Sequence, residues 1–400
     1  MAWSGAGVLV GLAGAADIPA MLAHMTQPLP AIAIPAELLP GDGRFGSGPS
    51  KVRADAVAAL AAAAPTYLGT SHRQQRVRSV VGRIRSGIAE LFRIPEGYEV
   101  ALGNGGASTF WDIAVFCLVE ARSQHCSFGE FSARFAAAAA AAPHLEAPDV
   151  LVSPPGSHPL PVATDGIDAY ALTHNETSTG VCMDVVRPSG AEGLVLVDGT
   201  SAAGGMALDP LAFDAYYFSP QKCFAADGGL WLAVLSPAAV ERSERLVGGG
   251  RYVPGSLDLL AALESSRKDQ TTNTPALATL FLLANQLEWI LEQGGLAWSA
   301  ARSAASSGIL YDWAERSALA APFVADPAMR SPVVATVDFD DAVDAGALAA
   351  VLRANGILDT EPYRKLGRNQ LRIATFPAIE PADVEALTAC IDYVLERLAD

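Results

Sequence analysis

Two periodicities divide the chain. Apolar residues recur every three to four positions at Val77, Val80, Val81, Ile84, Ile88 and Leu91, which predicts an amphipathic helix over residues 76 to 93. Its arginines, Arg76, Arg78, Arg83 and Arg85, are expected on a solvated face. An Ala-rich helix over residues 54 to 64 precedes it and is expected to stop at Pro65. A long helix starts at Pro275, with Leu277, Leu280, Phe281, Ala284, Leu287 and Leu291 on one face, and runs into a second helical stretch around residues 297 to 316. The other period is short. Apolar runs at Tyr98–Leu102, Asp149–Ser153, Ala169–Thr173, Gly193–Val197, Ala215–Phe218 and Leu230–Leu235 read as buried strands. A loop at Gly103–Gly106 follows the first of them, and a helix opens near Ser108. Another helix ends in the seven alanines Ala136–Ala142 and stops at Pro143.

Buried strands that alternate with helices predict an α/β domain with a mostly parallel sheet flanked by helices. After Pro332 the pattern changes to a strand (Val333–Phe339), a helix (Asp344–Asn355), two strands of which the second spans Gln370–Phe376, and a C-terminal helix opened by Glu380-Pro381. That is a small α+β domain. Four hundred residues are enough for two cores. The expected division is an N-terminal extension over residues 1–41, partly disordered, a large domain over 42–294 and a small one over 295–400.

Composition narrows the class. About half the residues (51%) are apolar and 18% are charged, as in a globular enzyme. No run reaches the roughly 18 uninterrupted apolar residues a spanning helix needs, so no membrane segment is expected. The stretch from Met1 to Ala16 is apolar, but the first basic residue is Arg44, so the charged start of a signal peptide is missing. Met21 and Met25 are alternative starts. Five cysteines without a CxxC pair suit reduced thiols in the cytoplasm, and the six histidines lack metal-ligand spacing, so no metal is expected. A net charge of −16 disfavours nucleic acid. It also means that an anionic substrate must be bound by local arginines.

Three weak signals lie in order along the large domain. Gly103-Asn-Gly-Gly-Ala-Ser-Thr109 stands between a strand and a helix, where glycines and a helix N-terminus suit an anion; a tight turn without a ligand fits equally. Asp198 follows a buried strand, where open α/β sheets place ligands, though a cap or turn acid fits as well. Lys222, in Ser219-Pro-Gln-Lys222, follows another strand and is either a surface residue or a partly buried amine. Together, a phosphate cradle, an acid and a lysine on successive strand ends meet the needs of pyridoxal phosphate. The lysine holds the aldehyde and the acid keeps the ring nitrogen protonated.

Further stretches carry a resemblance. They are Arg44-Phe-Gly-Ser-Gly-Pro-Ser50, Gly69-Thr-Ser-His-Arg73, His174-Asn-Glu-Thr-Ser-Thr-Gly180, Val197-Asp-Gly-Thr-Ser201, Thr272-Asn-Thr-Pro275 and Tyr363-Arg-Lys-Leu-Gly-Arg368. With the motifs above, they make the chain from Asp42 to Leu398 resemble phosphoserine aminotransferases of the actinobacterial branch, within the fold-type-I pyridoxal-phosphate enzymes. The resemblance implies that Lys222 holds the cofactor as a Schiff base and that Asp198 pairs with its ring nitrogen. It implies that Gly106, Ala107 and Gln221 bind the phosphate, that Thr177 bonds near the phenolic oxygen and that Phe131 stacks on the ring. Asn273 and Thr274 would reach the cofactor of a second subunit, since the family is homodimeric with shared sites. His72, Arg73, Arg364 and Arg372 would grip the substrate's phosphate and carboxylates. The chain departs at Tyr363, where many relatives carry histidine, which leaves Lys365 and Arg368 as candidates to complete the phosphate grip.

The implied reaction passes an amino group from L-glutamate to 3-phosphohydroxypyruvate, giving 2-oxoglutarate and O-phospho-L-serine. Three alternatives stand beside it. One is a transaminase of the alanine–glyoxylate type without phosphate specificity. A cysteine desulfurase would need a mobile nucleophilic thiol, and beyond Cys223 only Cys390 is present. A non-enzymatic cofactor store or binding module is the third.

Overall fold

The computed structural model describes residues 32–398; the expectations placed on residues 1–31 lie outside them. Five strands of the large sheet come in chain order with a small hairpin between them: β1 (Glu99–Gly105), β2 (Ser123–Ser127), β3 (Asp149–Val152), β4 (Ala169–Thr173), the hairpin β5 (Asn175–Glu176) and β6 (Val181–Cys182), then β7 (Leu194–Asp198). β8 (Ala215–Phe218) and β9 (Gly229–Leu235) complete the sheet, in the order β1-β9-β8-β7-β4-β2-β3. β9 runs antiparallel to both neighbours and every other pairing is parallel. The C-terminal ends of β1, β4, β7 and β8 therefore lie along one edge. That edge is where open α/β sheets bind ligands.

Helices cover both faces. α1 (Ala54–Tyr67), α2 (Gln75–Phe92), α3 (Ala107–Cys117), α4 (Glu130–Ala141), α5 (Pro237–Gly248), α6 (Leu259–Arg267), α7 (Leu277–Gln293) and α8 (Gly295–Arg316) follow in sequence. The period of two is visible in β7. Val195 and Val197 pack into the layer of Val77, Ile84, Leu280 and Leu287, whereas Leu194 and Leu196 pack with Phe110, Trp111 and Phe135 on the other face. The α2 arginines do face outward, and they also lash the helix to its neighbours. Arg83 holds Glu288 at 2.6 Å and Arg85 holds Asp269 at 2.7 Å.

Two local expectations fail for physical reasons. Pro65 sits inside α1 rather than ending it, because it lies in the last turn, which Leu68 N–H closes on the Ala64 carbonyl. The expected Gly103–Gly106 loop is strand as far as Gly105, since Gly103 pairs with Trp231, whose indole would lie 2.5 Å from a Cβ there. Composition alone hides a cross-strand partner of this kind.

A second sheet, β10 (Ala320–Pro322), β11 (Val334–Phe339) and β12 (Gln370–Ala374), is antiparallel throughout and packs with α9 (Ala345–Ala354) and α10 (Pro381–Leu398). The strand expected between α9 and β12 is reduced to one bridge between Leu358 and Arg44. Residues 32–45 join this second core: Ile34 and Phe45 are buried in it with Val334, Leu348, Ile373 and Ile391. Asn355 accepts the Ile34 N–H and donates to the Ile32 carbonyl, each at 2.9 Å. Among the described residues no helix is long and apolar enough to cross a membrane.

Candidate active site

At the shared strand edge a cavity of about 200 Å³ opens between α3, α4 and the loop after β8. Asp198 ends β7 there, 4% exposed, and its carboxylate accepts from Trp111 Nε1 and from Thr200 N–H, each at 2.9 Å. Burial pushes its carboxyl above the ordinary range, opposed by those bonds and by the nearby Lys222. A cation beside this acid would favour its ionised form.

Lys222 is 9% exposed, in a loop pinned on both sides. Ser219 Oγ donates to the Leu230 carbonyl and Ser50 N–H to the Gln221 carbonyl, each at 2.7 Å. Its ammonium donates to the Ser47 carbonyl. Gly48 must be bare for this approach, since a Cβ would stand 2.3 Å from Lys222 Nζ and its φ of +154° suits glycine. Burial, joined by the charge of Arg372, lowers the amine from 10.5 to about 8. Such an amine is partly neutral near neutrality and so can act as a nucleophile.

The rim is backbone. Gly106 N-caps α3, and Ala107 and Ser108 lie in its first turn, where N–H groups have no partner within the helix and the dipole favours an anion. Phe131, from the first turn of α4, lines the cavity with Arg134 one turn on. Buried polar atoms around the site lack partners within the protein: Ser47 Oγ, Asn175 Oδ1, Thr200 Oγ1, Gln221 Oε1 and Arg372 Nε. Buried polar groups are seldom left so, and a cluster of them marks a site shaped for a polar ligand.

Gly106, Ala107, Phe131, Thr177, Asp198, Gln221 and Lys222, all named from sequence, line this one cavity. Arg372 stands beside it, donating to the Thr177 carbonyl at 3.2 Å with its guanidinium 5.2 Å from the Tyr363 ring. Tyr363 in turn packs on Phe131, ring centres 6.2 Å apart. The others lie elsewhere in the chain. His72 Nδ1 meets the Thr274 hydroxyl at 3.2 Å, and Asn273 lines a separate cavity. Arg73 and Arg364 are exposed. Lys365 and Arg368 are already engaged, with Glu130 and Asp338 respectively.

Sequence reasoning missed Trp111, Arg134 and Glu176. Trp111 lies one turn beyond the glycine segment and Arg134 one turn beyond Phe131, so helical spacing would have placed both on the cavity side. Glu176 stands inside a recognised motif, but nothing in its spacing hints at burial. It is fully enclosed, and burial raises its carboxyl against bonds from Ser132 and Ser178.

Comparisons with known proteins give the chain's family. The chain is 59% identical to a phosphoserine aminotransferase of Nocardioides sp. over 371 residues, covering 92% of this chain and 99% of that one. It is 57% identical to a putative phosphoserine aminotransferase of Mycobacterium leprae, covering 93% and 99%. The crystal structure of a phosphoserine aminotransferase from Cytophaga hutchinsonii shares the fold with a TM-score of 0.79 at 24% identity, covering 88% and 99%. The family model of class-V aminotransferases matches residues 46–359, a span that holds every residue of the cavity wall. By its sequence and by its fold, the chain belongs to the class-V aminotransferase family.

Proposed function

We propose that this chain is a phosphoserine aminotransferase that uses pyridoxal 5'-phosphate to pass the amino group of L-glutamate to 3-phosphohydroxypyruvate in two half-reactions. The observation that carries the reading is a buried lysine and a buried aspartate sharing one cavity rimmed by a free helix N-terminus. The identity of 59% to a named phosphoserine aminotransferase supports the choice of substrate. The donor set fits the cofactor. Lys222 would hold its aldehyde carbon, Asp198 its ring nitrogen, Phe131 one ring face, Thr177 the phenolic side, and Gly106, Ala107 and Gln221 its phosphate. When bound, the cofactor supplies an electron sink for the carbanion formed at the substrate Cα.

The protein's own part is placement and proton transfer. Trp111 and Thr200 donate to Asp198 and so oppose the burial that raises its carboxyl, and an ionised acid there would favour a protonated ring. The Lys222 amine would be the base that takes the substrate Cα proton and the acid that returns one. Arg372 offers a free Nε to a carboxylate. The wall residues between 106 and 222 would then belong to the cofactor domain, and Arg372 to the second core. The grouping of His72, Arg73, Asn273 and Thr274 away from the cavity suits a homodimer in which each subunit completes the other's site. Five free thiols, four of them buried, suit the cytoplasm.

The ion pairs of Lys365 and Arg368 favour a second reading, a transaminase indifferent to phosphate. Adding O-phospho-L-serine to the yellow protein is expected to remove its visible band, while plain L-serine leaves it. Equal responses would give the second reading, and a protein with no yellow band would end the first.

The amine also predicts a pH dependence. Capture of pyridoxal phosphate by the cofactor-free protein requires the neutral amine, so its rate should climb through pH 8 and level off above it. The sign for stability follows. An unfolded lysine still binds its proton between about pH 8 and 10.5, so the cofactor-free chain gains stability over that window as pH rises. A capture rate still climbing steeply at pH 10 would contradict a buried amine.

A further inference from the structure

The segment Asn175–Ser178 touches three separate parts of the site. Asn175 Nδ2 donates to Ser201 Oγ at 2.9 Å, and the Thr177 carbonyl accepts from Arg372. Between them the Glu176 side chain turns to the N-terminus of α4. Its carboxylate accepts from the backbone N–H of Phe131 at 3.1 Å and of Ser132 at 2.9 Å. It also accepts from the Ser132 hydroxyl at 2.9 Å, the Ser178 hydroxyl at 2.7 Å and Ser178 N–H at 3.2 Å. Ser178 Oγ accepts in turn from Glu130 N–H at 3.0 Å.

Three backbone N–H groups and two hydroxyls face these oxygens and all can donate, which suits an ionised carboxylate and opposes the burial that raises it. A helix N-terminus adds its dipole. The fit is close, because a Cβ on Gly129 would stand 2.3 Å from Glu176 Cγ. Glu176 is absent from the cavity wall, so this investment of bonds serves the residues around it.

We infer that Glu176 is a positioning residue: by clamping the first turn of α4 it sets how the Phe131 ring lies over the cavity, and through the adjacent Thr177 carbonyl it steadies Arg372. The inference rests on the proposed function only for what the ring covers. Phe131 is the one aromatic in the wall that α4 carries, and its backbone N–H is held directly by Glu176. A shift of that turn moves the ring with it.

The test is cofactor binding to wild type, Glu176→Gln, Phe131→Ala and the double variant. Glutamine keeps the size but turns an N–H₂ toward donors. Glu176→Gln is expected to weaken pyridoxal phosphate binding about tenfold, on the scale of a displaced stacking contact, and to shrink the visible circular-dichroism band of the bound cofactor. The double variant should bind no worse than Phe131→Ala alone, because both changes remove one interaction. Glu176→Asp, which keeps the anion, should recover part of the band, and it replaces the glutamine variant in the cycle if that one does not fold. Wild-type affinity and band in Glu176→Gln, or losses that multiply in the double variant, would overturn the inference. Wild-type protein that binds no cofactor would overturn the proposed function and this inference with it.

Discussion

Lys222→Ala is expected to lose at least about 10⁴-fold in turnover, because under the proposed function one side chain would be both the covalent anchor and the proton carrier. The substitution removes the only amine in the cavity wall, and the other wall residue with a basic side chain, Arg134, does not deprotonate in the working range. Lys222→Arg should fail equally for that reason, although it restores a charge near Asp198. The fold should survive both changes. Lys222 is a desolvated cation whose main partner is a carbonyl, and removing such a group costs less than breaking a buried pair. Steady-state transamination by Lys222→Ala at the wild-type rate would show that the assignment is wrong.

Asp198→Asn ranks second, with an expected fall of about 10² to 10³-fold in kcat, the usual cost of removing one preorganised electrostatic partner. The shape is kept, so the loss isolates the charge. Asparagine can still accept the Thr200 N–H through its oxygen, but then its N–H₂ faces Trp111 Nε1, donor against donor, where an acceptor now stands at 2.9 Å. Under the proposed function, the neutral amide would also cease to favour a protonated ring nitrogen. KM for the amino donor should move little, since Asp198 does not reach the substrate's own charges. A kcat within about threefold of wild type would remove Asp198 from the chemistry.

The readable parts of the chain are those in which one residue type has one use. β4 and β8 agree with their apolar runs to the residue, because strands covered on both faces tolerate nothing else. α2 agrees to within a residue because its apolar face repeats without interruption. The direction of β9 was not readable, since an apolar run looks the same in either sense. α5 and α6 escaped notice because their buried faces are short. At the site, Lys222 and Asp198 stand out by following strands. The proposed cofactor wall is legible largely through motif resemblance, while Glu176 bonds to backbone N–H groups, which carry no sequence signature. His72 and Asn273 show the opposite limit: the motif names them, and a single chain leaves them away from the cavity.

The packing of residues 32–45 against the second core bears on how the molecule is made. The bond from Ile34 to Asn355 spans 321 positions, that from Cys390 to Leu38 spans 352, and that from Lys51 to Asp383 spans 332. A ribosome releases the early partner of each pair long before the late one. The sheet around β4, β7 and β8 can assemble from local neighbours during synthesis, whereas the second core must wait for α10, the last of the described elements to emerge. Until then Ile34 and Phe45 have no place to bury themselves, and the strand-like segment that leads to Ser47 stays apart from the lysine it will hold. The buried pair of Lys51 with Asp383 therefore forms only after α10 has been made, and the seating of the segment whose Ser47 carbonyl reaches Lys222 comes as late.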